Sequence, residues 1–266
     1  MTRSRRIVRT TLPALFLALL PLLSWAQPGS VYIEDLTWPE VRDAIAHGKT
    51  TAIFYAGSTE QNGPHMALGK HNVIARYVAG RIAEKLGNAL VYPVLPFAPT
   101  GDPAKKTGHM RFPGSVSLSE ATYGAVAREV AQSALAAGFS NVVLMGEHGD
   151  GQRALERAAQ QLERVWSAKG KHVYYIGDAY YVALRRVNAY LSAHGLPASR
   201  HAGIHDTSEL MYLDPDERWL RRDKLAPGDA RSGVEGDPRK SSAALGKRFL
   251  DIQVASAVEQ IRRLVK

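Results

Sequence analysis

A chain of 266 residues with a formal charge of +9 and no cysteine is long enough to bury a hydrophobic core, and disulfide bonds cannot hold it together. Any metal ion must therefore be bound through nitrogen and oxygen atoms. The lysines and arginines form no long block, so the basic charge does not indicate nucleic-acid binding, and we predict no nucleic-acid partner.

The first 26 residues have the pattern of a secretory signal peptide. Residues 3–9 carry four arginines, residues 12–23 form an apolar run, and residues 24–26 supply a small-residue cleavage site. We therefore predict a signal peptide over 1–26, a mature domain over 27–266, and a periplasmic protein with no membrane attachment after cleavage. A retained anchor is the alternative, but the apolar run is shorter than the ~20 residues of a spanning helix. Cleavage removes four arginines and no acidic residue, so the formal charge falls from +9 to +5.

After this segment, short β-type runs alternate with longer amphipathic patterns. The predicted strands are 51–56, 89–95, 141–146 and 172–177, and the predicted helices are 72–87, 119–137, 152–168, 179–194 and 241–265. Ser117 or Ser119 is a candidate N-cap, while Gly87 and Gly138 stand where helices should end. This alternation predicts a single α/β domain whose mostly parallel sheet has helices on both faces.

Metal-binding side chains follow two of the predicted strands. Glu60, His65 and His71 come after the first strand in a glycine-rich stretch, and His148 and Asp150 come after the third strand in another. Because the carboxyl ends of parallel strands meet at one edge of a sheet, the two clusters predict a single metal site. Two alternatives stay open: Glu60 as a surface turn carboxylate, and His71 as an ordinary residue at a helix N-terminus.

A further concentration of polar groups begins at His201. His205 and Asp206 lie within six residues of it, and the segment predicts a loop followed by the start of a helix. Thr207 next to them is equally compatible with ordinary N-cap chemistry, and His205 has no partner motif in the sequence. The irregular stretch 96–116 is long for a compact domain, and loops of that length are more often functional than idle.

Several motifs occur in a fixed order along the chain. They are Gly57–His65, the segment His109–Leu118, His148 with Asp150, the segment His201–Ser208, and Gly236-Asp237-Pro238 followed by Gly246. In this order, over roughly residues 35–260, they resemble the creatininase (creatinine amidohydrolase) family. The resemblance implies an α/β metal-dependent amidohydrolase, commonly with two divalent metals bridged by an aspartate, and a homo-oligomer that is often a hexamer.

The resemblance also implies residue roles. Metal-ligand positions are Glu60, His71, His148 and Asp150, the proton-transfer positions are His201 and Asp206, and the substrate-binding positions are His65, His109 and Asn62. Two ligand positions depart from the family pattern, because Asn62 replaces a ligand histidine and His71 replaces the bridging aspartate, and Ile204 and Asp206 stand where the family tends to have two glutamates. Because a neutral imidazole cannot bridge two cations as a carboxylate does, we expect one metal ion per chain, zinc by preference, with manganese or iron as alternatives.

These observations predict a metal-dependent amidohydrolase that cleaves the C–N bond of a small amide or cyclic amide with metal-activated water. His201 or Asp206 would move the proton. A non-catalytic periplasmic relative that binds metal or ligand is the alternative, because two ligand positions are altered. A serine hydrolase using Ser58 or Ser208 has weaker support, since neither lies in a Gly-x-Ser-x-Gly motif.

Overall fold

The computed structural model describes residues 29–229 and 231–265, and at its centre lies a four-stranded parallel sheet. The strands are β1 Thr51–Ala56, β2 Ala89–Val91, β3 Asn141–Gly146 and β4 His172–Tyr175, in the order β2-β1-β3-β4. All four predicted strands are present, although two are shorter than predicted. β2 ends at Val91 because Pro93 has no N–H group with which to continue the ladder. The predicted signal peptide, 1–26, lies outside the described residues.

Seven α-helices surround the sheet in this part of the chain. They are α1 Trp38–Ala46, α2 Lys70–Leu86, α3 Glu120–Ala137, α4 Gln152–Trp166, α5 Tyr181–Ala193, α6 Ile204–Leu213 and α7 Ala243–Leu264. Ser119 caps α3 by accepting a hydrogen bond from Thr122 N, and Gly87 and Gly138 end α2 and α3 in the left-handed conformation, as predicted. None of the described helices is both long and apolar enough to span a membrane.

Two hydrophobic layers cover the two faces of the sheet, because successive strand residues point to opposite sides. Ala52 and Phe54 of β1 join the layer that also contains buried residues of α3 and α4. Ile53 and Tyr55 join the opposite layer, which contains buried residues of α2 and α7. Both faces are therefore buried, and this explains why the strands are continuous apolar runs in the sequence. The predicted single α/β domain with a parallel sheet covered on both faces is confirmed.

The central pair of strands sets the position of the polar residues that follow them. β1 and β3 are neighbours, and Ala56 at the end of β1 is in register with Gly146 at the end of β3. The N–H of Glu147 donates to the carbonyl of Ala56, so the chain leaves both strands at one place on the sheet edge. The segments carrying Glu60 and His148 therefore begin side by side.

Candidate active site

A buried carboxylate, Glu60, is the point on which several imidazoles converge. His148 Nε2 lies 2.8 Å from Glu60 Oε2, while His71 Nε2 and His109 Nε2 lie 3.1 and 3.6 Å from Oε1. Ser58 Oγ donates to Oε2 at 2.6 Å. The Glu60 side chain is completely shielded from solvent, so the imidazoles are its principal partners. The predicted meeting of the two strand-end clusters is present in the structure.

A fourth imidazole, His201, completes the group. Its Nδ1 lies 3.8 Å from Glu60 Oε1, and its Nε2 donates to the backbone carbonyl of Gln61 at 2.9 Å. The Gln61 side chain holds the neighbouring ring, because its Nε2 lies 2.9 Å from His109 Nδ1 and also donates to the carbonyl of Gly233. Gly233 has φ +72°, and a Cβ there would lie 2.1 Å from Gln61 Oε1, so only glycine fits. Gln61 therefore fixes the orientation of the His109 and His201 rings through its side chain and its backbone carbonyl.

The turn between β1 and α2 is stabilised by residues that were predicted to bind substrate. Asn62 is fully buried, and its Nδ2 donates to the backbone carbonyl of Glu60 at 2.9 Å, with Ala67 O and Leu68 O at 3.3 and 3.4 Å. His65 is also fully buried, and its Nε2 lies 2.9 Å from Thr207 Oγ1. Neither residue lines the cavity described below. Asn62 thus holds the backbone of the turn and His65 holds α6, and their role in substrate binding stays a prediction.

The third predicted substrate residue, His109, has a different environment from the other two. It lies in a short 3₁₀ turn, Gly108–Arg111, within the long loop, and it lines the cavity. Glu60, His109 and His148 each place a ligand-type atom within 4.8 Å of the others. His109 therefore belongs geometrically with the candidate metal ligands.

Asp150, predicted as a fourth ligand, occupies the mouth of the cavity. Its side chain is exposed, and its backbone N–H donates to His148 Nδ1 at 3.1 Å. Its carboxylate is not part of the group formed by Glu60, His109 and His148. The structure thus places Asp150 where it orients an imidazole through the backbone, and its role as a ligand stays a prediction.

The second proton-transfer residue, Asp206, is paired with a lysine that the sequence did not single out. Lys70 Nζ lies 2.9 Å from Asp206 Oδ2, and the lysine side chain is 1% exposed. The same Oδ2 accepts a hydrogen bond from the N–H of Ala202 at 2.8 Å. Ala202 adopts φ +55°, an unfavourable conformation for alanine, in the turn between His201 and α6. This turn fixes His201 and Asp206 relative to each other.

A cavity of about 310 Å³ adjoins the imidazoles. One wall carries the histidines, and the opposite wall is apolar and comes mainly from α5 and α7. The apolar wall consists of Ala179, Ala183, Leu184, Val187 and Phe249. Asp150, Arg200 and Glu235 line the cavity and are exposed, so the cavity opens to solvent at a charged rim. This volume accommodates a small molecule or the end of a longer chain.

Two buried polar networks in the cavity wall were missed by the sequence reasoning. His205, which was interpreted as unpartnered, lies between Ser199 Oγ and Glu209 Oε1, each 3.0 Å from a ring nitrogen. The i,i+4 spacing of His205 and Glu209 on one helix was a usable signal for this pair. Glu147 accepts hydrogen bonds from Tyr55 OH and from Nε2 of Gln253 in α7, both at 2.7 Å. The sequence contained no signal for that second network, because its members are far apart along the chain.

Burial and charge set the ionisation of the site. Burial alone would raise the pKa of Glu60, but contacts with His71 and His148 outweigh it and hold the pKa well below its ordinary value. Burial, reinforced by the charge of Lys70, lowers the pKa of His71 and of His201 to about 4. Burial also opposes protonation of His148, yet its bond to Glu60 raises the pKa. At neutral pH the site therefore contains an ionised carboxylate beside the neutral imidazoles of His71 and His201, while contact with Glu60 favours the protonated form of His148.

This donor set fits a divalent metal ion. It combines one anionic oxygen with several imidazole nitrogens, which suits zinc, manganese or iron. Within the described part of the chain, His71 Nδ1 is buried and has no hydrogen-bond partner, so these residues alone do not fully satisfy this imidazole. A cation would replace the protons that Glu60 shares with the imidazoles, which makes binding dependent on pH.

Comparison with known families matches most of the chain. The creatininase family model, described as creatinine amidohydrolase, matches residues 34–261. The chain belongs to the creatininase family. This confirms the resemblance based on the motifs, and the family is one of metal-dependent hydrolases.

Individual members of the creatininase family agree with the assignment. The mycofactocin precursor peptide peptidase of Mycolicibacterium smegmatis is 28% identical over 231 residues, which cover 78% of this chain and 82% of that protein. The creatinine amidohydrolase of Pseudomonas putida is 32% identical over 119 residues, or 45% of each chain. A mutant creatininase of Zn-Zn type superposes with a TM-score of 0.74 at 24% identity, covering 89% of this chain and 98% of the other. That likeness shows the fold, and the modest identities show that this chain is a divergent member.

Proposed function

We propose that this protein hydrolyses an amide C–N bond with the help of a divalent metal, for which zinc is the preferred ion. The observation that carries the proposal is the convergence of His71, His109 and His148 on the buried Glu60 carboxylate beside an open cavity. These four residues would hold the metal. When bound, a divalent metal polarises a carbonyl group and lowers the pKa of water.

His201 is suited to accept and return a proton. Its Nε2 donates to the carbonyl of Gln61, so Nδ1 carries the free lone pair on the side that faces Glu60. Burial and the charge of Lys70 lower the pKa of His201 to about 4, so the ring is neutral near neutral pH, and the Nδ1 lone pair would take a proton from the attacking water and deliver it to the leaving nitrogen. Proton transfer by a positioned group contributes about 10²–10⁴-fold to rates of this kind.

Asp206 acts as a fixed acceptor. Burial alone would raise its pKa, but the charge of Lys70 outweighs this and keeps the pKa below its ordinary value. An aspartate that stays ionised does not donate protons near neutral pH. Its place on the cavity wall suits it to orient the water or an N–H group of the substrate.

The substrate class follows from the cavity and the relatives. An apolar wall with a charged, open rim accommodates a small amide, and it also accommodates the terminal residues of a peptide. A peptide substrate is the second candidate, because the relative matched over most of its length is named as a peptidase, whereas the match to the creatinine amidohydrolase covers 45% of that protein. Export to the periplasm and a homo-oligomeric state, hexameric by resemblance, also remain proposals.

The test combines metal analysis with a hydrolysis screen. The mature chain, purified without chelator or metal-binding tag, is analysed for metal and then offered cyclic amides, small linear amides and short peptides, with amine release as the readout. Glu60→Gln should lose both metal and hydrolysis. Glu163→Gln is the matched control, because Glu163 also lies 2.8 Å from an imidazole, that of His172, but outside the cavity. It should retain both.

The outcomes separate the alternatives. Hydrolysis that persists in Glu60→Gln would contradict the site assignment. A wild-type chain that binds metal but hydrolyses nothing in the screen would support the non-catalytic relative. A wild-type chain that takes up no metal after reconstitution would refute the metal-dependent reaction altogether.

A further inference from the structure

A buried ammonium group stands beside the histidine cluster. Lys70 is the first residue of α2 and immediately precedes His71, and its side chain is 1% exposed. Lysine is almost never fully buried unless it is paired, and here the nearby partner is the Asp206 carboxylate at 2.9 Å. Among the described residues Nζ has no partner that satisfies hydrogen-bond geometry, so the ion pair with Asp206 is its main compensation. A positive charge of the protein is therefore fixed inside the site.

The effect of this charge reaches the whole cluster. Lys70 immediately precedes His71 on α2, and its Nζ contacts Asp206, which lines the same cavity as His71, His109 and His201. Any additional cation placed among these residues would be repelled by the Lys70 ammonium. Because the Lys70 side chain is buried, this repulsion is screened less than that between two exposed charges.

The anionic ligands near the cluster are already committed. Glu60 is in contact with the imidazoles, and Asp206 is paired with Lys70. Glu147 accepts hydrogen bonds from Tyr55 and from the side-chain amide of Gln253 in another part of the cavity wall. Asp150 is exposed at the rim. Among the described residues, a second divalent ion would therefore find only exposed carboxylates of the cavity rim, such as that of Asp150, which lies outside the group formed by Glu60, His109 and His148.

The neutral side chains near the cluster do not take the place of a further carboxylate. The Nδ2 of Asn62 is directed at backbone carbonyls, the nearest being that of Glu60. His71 offers an imidazole, which cannot bridge two cations as a carboxylate does. Glu60 and its imidazoles can bind one cation, whereas a second cation would have mainly neutral donors and the buried ammonium of Lys70 nearby.

We propose that the centre holds one divalent cation per chain and that Lys70 supplies, from the protein itself, the positive charge that a second cation would bring. This inference rests on the proposed metal-dependent function and adds its stoichiometry and a residue that determines it. Lys70 acts through Asp206 and does not line the cavity, so it is a positioning residue. The solved relative of Zn-Zn type is described by its name as containing a zinc pair, which this chain would not reproduce.

The test counts bound metal in the full mature chain. Wild type and variants are saturated with Mn²⁺ or Zn²⁺, passed through a desalting column and analysed for metal per chain, with calorimetric titration alongside. Wild type, Lys70→Arg and the control Lys85→Met, which alters an exposed lysine of the same helix, should each bind one equivalent. Lys70→Met releases the Asp206 carboxylate and should bind a second equivalent. Lys70→Met combined with Asp206→Asn should return to one.

Manganese also provides a spectroscopic readout that needs no variant. Wild type with bound Mn²⁺ should show the six-line electron paramagnetic resonance signal of an isolated ion, growing to one equivalent and then levelling. Two equivalents in wild type, or a signal from a coupled pair, would overturn the proposal. A folded Lys70→Met chain that stays at one equivalent would overturn the role of Lys70.

If Lys70→Met does not fold, the proposal is tested by the amount of metal bound to wild type and to Lys70→Arg. Because Lys70→Arg keeps the positive charge, it must still bind one equivalent of metal. Loss of that single-ion stoichiometry in Lys70→Arg would count against the proposal. Zero equivalents in wild type is a different result, since it refutes the metal-dependent function itself.

Discussion

Gly246 is the position where α7 packs most closely on the helix that carries Asp206. A Cβ at Gly246 would lie 1.8 Å from the backbone carbonyl oxygen of Ser208 in α6, whereas ordinary contact begins at 3.4 Å. The two helices would have to separate by about 1.6 Å, the difference between these distances. The obstacle is backbone, so no side-chain rotation can relieve it. We therefore predict that Gly246→Ala is destabilising.

The magnitude follows from two opposing effects. Alanine gains about 1 kcal/mol over glycine in a helix interior. Overpacking of a well-packed core typically costs about 1–3 kcal/mol, and a clash with backbone lies at or above the upper end. We expect a net loss of about 2 kcal/mol in the free energy of unfolding, which for a domain of this size lowers Tm by about 4–8 °C.

A second glycine provides the matched control. Gly124 is also buried inside a helix, α3, but a Cβ there would meet its nearest neighbour, the carbonyl oxygen of Ala154, at 3.5 Å. Gly124→Ala should therefore keep the propensity gain and raise stability by about 0.5–1 kcal/mol. Urea or thermal unfolding of both variants gives the comparison. A Gly246→Ala chain as stable as wild type would refute the close approach of α6 and α7.

Three further predictions concern the site. Asp206→Asn and Lys70→Met should each cost about 3–5 kcal/mol of stability, because each leaves a buried charge unpaired, and the double variant should cost less than the sum. Gln61→Leu leaves the proposed metal ligands in place but removes the group that orients them, so metal affinity measured by calorimetry should fall by about 10–100-fold. The pKa values of His71 and His201, about 4, lie below the ordinary 6.5, so the unfolded chain binds their protons first as the pH falls. Stability from these two groups is complete above pH 6.5 and is lost between pH 6.5 and 4, on the order of 3 kcal/mol for each, and a Tm of the metal-free chain that is unchanged between pH 7 and 5 would contradict this.

Much of the fold was predictable because it depends on local pattern. β1 and β3 are buried on both faces, so they appear as unbroken apolar runs, and the helices that follow carry clear amphipathic patterns. α1 was not predicted: it is only nine residues long, and of these only Ala44 is buried. Its start was nevertheless visible in the sequence: Thr37 and Glu40 form a capping box.

The site was predictable only where the chain order itself brings residues together. Glu60 and His148 follow adjacent parallel strands, so their meeting could be inferred. The position of His109 could not, because it depends on a loop that returns to the first turn, where Val116 N donates to Thr59 O. Nor could the burial of Lys70, since nothing local distinguishes it from a surface lysine at a helix start. These contacts are set by tertiary packing, which a single sequence does not reveal.

The ligand-type residues and the apolar cavity wall follow different strands of the sheet, and this separation has an evolutionary consequence. The ligand-type residues Glu60 and His148 follow the two inner strands, whereas the apolar wall formed by α5 follows β4, which lies at the edge of the sheet. An edge strand and its helix can shift or change length without disturbing the inner pair. Exchange of the half-buried Leu184 would reshape the space offered to a substrate and leave the ligand-type residues in place. With this arrangement, sequence changes in α5 alone can alter the substrate on which the same reaction is carried out.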